Sequence, residues 1–564
     1  MLLENDILET LSNLSNSEVF TPPRVAEQMV DLIPEIEFSN PNNKFLDPFS
    51  KTGVFLKILL IKLLRGLPFE KNFKSNNWII NNKGEEEQVI VDLTNEQVRY
   101  DYILKHMLYG IAITEITDIT TRRTLYDVME ANSNRSDSNL QDENISNFNH
   151  KLFKNKYGNI YWNDVDENGN ETPPKHKFVK NKKDMVCEVC GMRKGVEKDI
   201  ENFAYPFIHK TDEELNKIFK NNFNLIKGKN MKFDVIIGNP PYHLSDGGGG
   251  TGKPIYQNFI NKSISVSPKY LIMIVPSRWM AGGEVVLDKF REQMLNDKRL
   301  RSIYDFKDAQ VCFPSVGFGG GVNYFLWDRD YNGSCEYTFK DENGESKTNL
   351  NLSKYKILVR KIDSLDLLNK ILNKDSNFFG RKTIGSLKTF VDEKVSKTHF
   401  RSNFKDFKIE KDDINNIELY GKKADGARND KMVGYVNKSQ ITKNIEEIGK
   451  YKVLTQKTSD DVNVLSEPFL AEPNSVWTET NFQIGWGMNY NKEECLNLIK
   501  YMKTKFVRFL ISLAKISHNM SFKVFLFVPI LDMKIEWTAK MLYERYDLTD
   551  SEIKHIESSI KEMV

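Results

Sequence analysis

The sequence predicts an α/β fold, a mixed and mostly parallel sheet with helices on both faces. Three observations carry that expectation. Apolar runs of strand length, among them 233–238, 270–275 and 322–327, alternate with stretches of helical character such as 54–61 and 254–266. Several runs close on Asp, Asn, Thr or Pro, which favour turns over continued sheet. At 564 residues, with 40% hydrophobic and 11% aromatic content, the chain is long enough for roughly two or three packed domains.

The elements follow in order. Thr21 is a good N-cap and Pro22 a good first helical residue, with Val25, Met29, Leu32 and Ile33 forming one apolar stripe. Phe45-Leu46 is a short strand ending in Asp47-Pro48, and a turn containing Gly53 leads into a helix from Val54. Residues 66–100 are polar and read as a surface excursion. Leu108–Ile113 is the next strand, closed by Thr114-Glu115, and an acidic residue at that point suits a ribose hydroxyl pair. Residues 131–150, rich in Asn, Ser and Asp, read as loop. The run to Gly238 is a strand, 254–266 is helical, Tyr270–Val275 is a buried strand closed by Pro276, and Val322–Trp327 is a further strand, with an antiparallel member near the end of the sheet. After about residue 340 Lys, Asn and Asp become frequent and the apolar runs shorten.

The most informative segment is Asn239-Pro240-Pro241-Tyr242, directly after the apolar run. An exocyclic amine such as N6 of adenine is a poor nucleophile, because its lone pair is delocalised into the ring. A catalyst must therefore accept hydrogen bonds from that NH2 while a methyl donor waits in line. Asn239 offers its side-chain carbonyl oxygen and Pro240 its backbone carbonyl. Two prolines restrict φ and hold the preceding residue extended, so that both acceptors can point at one spot. Tyr242 offers a flat face to a base taken out of its stack. An Asn-Pro pair alone would be an ordinary turn.

Together with Glu18-Val-Phe-Thr-Pro-Pro23 and Phe45-Leu-Asp-Pro-Phe-Ser-Lys-Thr-Gly53, this segment resembles the S-adenosylmethionine-dependent amino-methyltransferases, in the order of gamma-type N6-adenine DNA methyltransferases of restriction-modification systems. The resemblance implies a Rossmann-like methyltransferase domain over residues 1–340, with insertions at about 66–100 and 131–200, and a C-terminal α+β DNA target-recognition domain over 341–564. It assigns Thr21, Asp47, Pro48, Gly53 and Glu115 to S-adenosyl-L-methionine, and Asn239, Pro240, Pro241 and Tyr242 to catalysis. Phe313 would contact the flipped base. The third cofactor motif falls on Ala204–His209 as a strand, without the usual terminal Asp. Lys51 departs from the pattern by standing in the place of the first Gly, so this turn must tolerate a side chain.

The implied function is site-specific adenine-N6 methylation of double-stranded DNA, as the modification component of a restriction-modification or phage-defence system, with a restriction subunit as a further partner. Two alternatives stay open. The same loop could serve RNA or a protein amide. A bifunctional restriction endonuclease would need a metal-binding Asp followed by Glu-x-Lys, and Asp330 with Glu345-Ser346-Lys347 meets that spacing, though the segment reads more simply as a hairpin turn.

The net charge of +2 means that DNA binding must come from local patches. Residues 496–531 contain no acidic side chain, and Lys500, Lys503, Lys505, Arg508 and Lys515 there suit phosphate contacts, whereas Phe506 and Phe509 recur at helical spacing and belong to a core. Cys187-Glu-Val-Cys190-Gly191 is half a zinc site, which His176 and His209 could complete as a structural Cys2His2 set; the other reading is two reduced cysteines. Gly247–Lys253 has the spacing of a phosphate-binding loop, but Pro254 replaces the hydroxyl residue, so a flap beside the active site is the better reading. Five cysteines make no disulfide framework, no apolar run could span a bilayer, and the acidic N-terminus is no signal peptide; a soluble cytoplasmic protein is expected.

Overall fold

The computed structural model describes residues 19–80, 83, 85–127, 130–131, 153, 156–165, 171–172, 174–181, 184–195, 204–216, 232–244, 252–281, 285–314, 317, 319–379, 400, 404–421, 432–441, 445–459, 464–485, 487–516, 520 and 522–563. The chain divides into two compact units, Met1–Ser277 with Asn296–Leu352, and Arg278–Leu295 with Ser353–Val564.

The first unit is built on a nine-stranded mixed sheet. Its strands are β1 (Phe45–Ser50), β2 (Leu108–Ala112), β3 (Ile160–Tyr161), β4 (Val235–Gly238), β5 (Tyr270–Pro276), β6 (Leu300–Phe306), β7 (Val322–Asp328), β8 (Cys335–Asp341) and β9 (Gly344–Leu350), in the order β9-β8-β6-β7-β5-β4-β1-β2-β3. From β3 to β5 neighbours run parallel, and β7 lies antiparallel between β5 and β6. The central strands β1, β4 and β5 are buried at every position. A strand covered on both faces has no polar side to display, which is why β4 and β5 are apolar runs without alternation, whereas β1 also buries Asp47 and Ser50.

Helices among the described residues of this unit include α1 (Pro23–Val30), α2 (Val54–Gly66), α3 (Glu96–His106), α4 (Glu115–Tyr126) and α5 (Tyr256–Ser265). In α2 the spacing of Leu56, Leu59 and Leu63 puts all three in the core at 0% exposure, each contributing about 1.5–3 kcal/mol by burial. Gly53 ends the preceding loop with φ +75°, and a Cβ there would lie 3.2 Å from Thr121 and Thr124 of α4. The left-handed backbone and the close approach together require glycine at that turn.

Two expectations are corrected. Thr21 does not cap α1, whose N-cap is Pro22 with no side-chain capping bond. Ala204–His209 is no strand: Pro206–His209 forms one helical turn, since Pro206 lacks an N–H for a sheet interior and has the φ of a helix start. The strand beside β2 is instead β3, pinned by Asn159, whose Nδ2 donates to the carbonyls of Leu104, Lys105 and Leu108. The polar excursion at 66–100 contains a hairpin, Phe73–Ile80 with Glu86–Val91, and the start of α3. The expected loop at 131–150 lies, apart from Ala131, outside the described residues.

The second unit contains two three-stranded sheets, one of Met432–Asn437, Asn415–Tyr420 and Ser475–Trp477, the other of Phe469–Ala471, Lys452–Gln456 and Asn481–Ile484. Helices Lys492–Lys503 and Lys505–Ala514 supply much of its core, where Phe506 and Phe509 are fully buried as their spacing predicts. Among the described residues no helix is long and apolar enough to cross a membrane.

Candidate active site

The loops after β1 and β4 are neighbours because their strands pair in parallel. Gly238 permits the contact, since a Cβ there would lie 2.9 Å from both Asp47 Oδ1 and the Phe49 ring. The next residue, Asn239, is 2% exposed. Its Nδ2 donates to the Val19 carbonyl at 2.8 Å and to Thr21 Oγ1 at 3.0 Å. A carbonyl can only accept, so flipping the amide would set two oxygens against each other, and the orientation is thereby determined. Asn239 Oδ1 is buried with no hydrogen-bond partner among the described residues. A buried acceptor left without a donor costs about 1–3 kcal/mol, which an incoming N–H would recover.

Pro240 and Pro241 are buried, and the Tyr242 carbonyl accepts from the Ile255 N–H at 3.0 Å. The Tyr242 ring is 2% exposed, and burial, with Cys312 and Tyr256 nearby, raises its phenol well above the ordinary range. Phe313 is also 2% exposed. Its segment is held from α1, where Arg24 Nη2 donates to the Val311 carbonyl at 2.8 Å. Neither ring offers an open face, so a base could stack on them only after neighbouring groups move. Between Tyr242 and α5, His243–Leu244 pairs antiparallel with Lys253–Pro254, and the glycine-rich residues 245–251 lie outside the described residues. Gly252 is required there, because a Cβ would lie 2.2 Å from the Leu244 carbonyl oxygen.

On the β1 side, Asp47 is buried and accepts from the Phe49 N–H at 3.1 Å. Burial pushes its carboxyl up to about 7, against the opposing pull of that N–H, the Lys51 charge and Ser50. Lys51, which stands where glycine was expected, is 6% exposed and donates from Nζ to the Val19 carbonyl at 2.8 Å. Lys51 and Asn239 thus converge on one carbonyl. Glu115 begins α4 at the end of β2 as an exposed carboxylate, behind a Thr114–Thr117 capping box. Asn163, just past β3 and 7% exposed, joins this row of polar strand ends. It was missed because a two-residue strand has no periodicity; the Asn163-Asp164 pair behind Ile160-Tyr161 was the available signal.

Residues 106–313 match the Eco57I restriction-modification methylase family. An uncharacterized adenine-specific methylase of Mycoplasma pneumoniae is 34% identical over 374 residues, covering 64% of this chain and 79% of that protein. The chain belongs to this family of adenine-specific methylases. Solved structures with a similar course include the methyltransferase subunit of a type I restriction-modification system from Streptococcus thermophilus (11% identity, TM-score 0.28, 60% of this chain and 52% of that one). Another is a nuclease-deletion mutant of the type ISP enzyme LlaGI in complex with a DNA substrate mimic (10% identity, TM-score 0.47, 92% and 46%). The methylase thus spans about half the length of these two chains.

In the methylase, the cations expected to face phosphate are engaged internally. Arg508 is corrected outright: it is 1% exposed and donates to the carbonyls of Lys503 at 3.1 Å and Lys561 at 2.8 Å. The missing acidic residues come from elsewhere in the chain. Lys500 pairs with Glu536, Lys503 with Glu467, and Lys505 with Glu557 and Glu562, while Lys515 donates to Ser459 Oγ at 2.7 Å. The nuclease spacing falls on a hairpin, as its turn residues suggested: Glu345 and Lys347 lie on β9, Lys347 pairs with Glu336, and Asp330 pairs with Arg329.

The four proposed metal ligands do come together. Their ligand atoms lie within 4.8 Å of one another, with Cys187 Sγ 3.4 Å from His209 Nε2 and Cys190 Sγ 3.4 Å from His176 Nδ1.

Proposed function

We propose that this methylase is a site-specific DNA adenine-N6 methyltransferase, the modification component of a restriction-modification or phage-defence system. The single observation that carries the reading is Asn239, whose amide nitrogen is held by Val19 and Thr21 so that Oδ1 is left to accept. In the proposed reaction an adenine rotated out of the duplex donates one N6–H hydrogen bond to Asn239 Oδ1 and the other to the Pro240 carbonyl; after methyl transfer, N6 releases one proton to solvent, leaving the cofactor as the neutral thioether. Both bonds draw electron density toward N6 and hold its lone pair in line for direct transfer. S-adenosylmethionine supplies the electrophilic methyl when bound, and Asp47, Pro48, Gly53 and Glu115 would hold it at the ends of β1 and β2. The scheme has no covalent enzyme intermediate and needs no cysteine.

The carboxylates at two adjacent strand ends, with a glycine-started helix between them, fit a nucleoside ligand. Thr21 is assigned here to orienting Asn239. The second unit would recognise the DNA target, and a restriction subunit would be a further partner.

The test is transfer of labelled methyl from S-adenosylmethionine to unmethylated double-stranded DNA by the native chain and by Asn239→Ala, with the modified base identified by mass spectrometry. N6-methyladenine from the native chain alone is expected. Labelling of RNA or protein in place of DNA would overturn the substrate assignment, and an active Asn239→Ala would overturn the catalytic one.

A further inference from the structure

We infer that His176, Cys187, Cys190 and His209 form a closed, four-coordinate zinc site that braces the segment between β3 and β4 against the active-site loops. Tetrahedral zinc with bonds of about 2.3 Å to sulfur and about 2.05 Å to nitrogen sets a sulfur and a nitrogen about 3.6 Å apart. Two of the four sulfur–nitrogen distances are 3.4 Å, and no pair among the four atoms exceeds 4.8 Å. Two independent thiol–imidazole hydrogen bonds would not require all four ligand atoms to lie within 4.8 Å of one another.

The surroundings suit a metal. His209 Nδ1 lies 2.9 Å from the Tyr205 carbonyl, so a proton on Nδ1 leaves the Nε2 lone pair facing Cys187. The Cys187 N–H donates to Met192 at 2.7 Å, and the Gly191 N–H donates back to the Cys187 carbonyl at 2.9 Å, closing the knuckle. Gly191 has φ +79°, which glycine adopts without strain. Four protein ligands leave no open position, so the ion would be structural.

The hairpin that carries the cysteines also needs an anchor. Its strands Phe178–Asn181 and Asp184–Cys187 are mostly exposed, with Val179 and Met185 turned to solvent at 42% and 39%. A two-stranded hairpin with so little apolar burial is not stable alone, and small elements of this kind depend on a staple. The staple would reach the active site by two routes. Asn258 of α5 donates to the Val189 carbonyl, between the two cysteines, at 3.0 Å. Phe207, two residues before His209, packs edge-on against Phe49 of β1 with centroids 5.7 Å apart.

The test is zinc analysis of the purified full-length chain, followed by cobalt substitution and absorption spectroscopy. We expect about one zinc per chain, and a cobalt form with thiolate-to-metal charge transfer and intense tetrahedral d–d bands. Cys187→Ser and His209→Ala should each lose or shift those bands, while Cys335→Ser, at a buried cysteine outside the cluster, should keep them. No stoichiometric zinc together with no cobalt–thiolate absorption in the native chain would overturn the site. So would an unchanged spectrum in the His209 variant. Neither readout involves methyl transfer, so the outcome is independent of the substrate assignment above.

Discussion

Replacing Thr21 with valine removes one of the two acceptors that orient Asn239 and leaves the other. The lost bond, Asn239 Nδ2 to Thr21 Oγ1 at 3.0 Å, is neutral and worth about 0.5–1.5 kcal/mol net. The Val19 carbonyl at 2.8 Å persists, so a flipped amide would still meet an oxygen. If the whole loss falls on the transition state, kcat drops roughly two- to tenfold. Asn239→Ala removes the acceptor itself, and by analogy with deletion of one preorganised polar group the expected loss is about 10² to 10³ in kcat. The assay is single-turnover methyl transfer for the native chain, both single variants and the double variant, with the KM of each substrate. Because Thr21 is argued to act through Asn239, adding Thr21→Val to Asn239→Ala should change kcat little. A further tenfold loss in the double variant, or a raised KM for S-adenosylmethionine in Thr21→Val alone, would refute this and return Thr21 to direct cofactor contact.

Burial raises Asp47 from an ordinary 3.8 to about 7, so the folded chain holds more protons than the unfolded one between those values and stability falls as pH rises through that window. Asp47→Asn should remove the slope and stabilise the cofactor-free chain at pH 8 by at most about 4 kcal/mol, while weakening cofactor binding; equal stabilisation at pH 4 and pH 8 in thermal unfolding would show that charge burial is not the cause. Gly252→Ala puts a Cβ 2.2 Å from the Leu244 carbonyl oxygen and should cut methyl transfer at least about tenfold with little change in Tm, since the strain is confined to a short hairpin. Full activity in that variant would separate the hairpin from the site. Arg508→Ala should destabilise the chain by about 2–4 kcal/mol through its two lost carbonyl contacts and leave the salt dependence of DNA affinity unchanged. A slope smaller by about one would instead reveal a phosphate contact.

The sheet was legible where burial on both faces leaves an uninterrupted apolar run, as in β4 and β5, and where polarity rises sharply at a strand end, as at Asn239; β1 runs on past the expected end at Asp47-Pro48 to Ser50. It was illegible at β3, where Ile160-Tyr161 owes its place to Asn159 bridging three distant carbonyls. Ala204–His209 misled for the converse reason: an apolar, aromatic segment satisfies a strand pattern, yet Pro206 turns it into a helix. The basic stretch at 496–531 misled because charge was counted along the chain. Glu467, Glu536, Glu557 and Glu562 arrive from other segments and pair with its lysines.

By itself the sequence determined the types of group available and their local order: an Asn with two prolines behind a buried strand, a carboxylate at the end of β1, two cysteines at knuckle spacing. These follow from covalent geometry and short-range periodicity, which neighbouring residues impose on one another. Only the tertiary structure decided which atom of Asn239 is left to react, because the group that orients it, Val19, lies 220 positions away. The same holds for the meeting of His176 and His209 with the two cysteines, and for the neutralisation of the basic stretch. Hydrogen bonds and ion pairs are satisfied by whatever packing brings near, and that proximity is a property of the folded chain which no local pattern encodes.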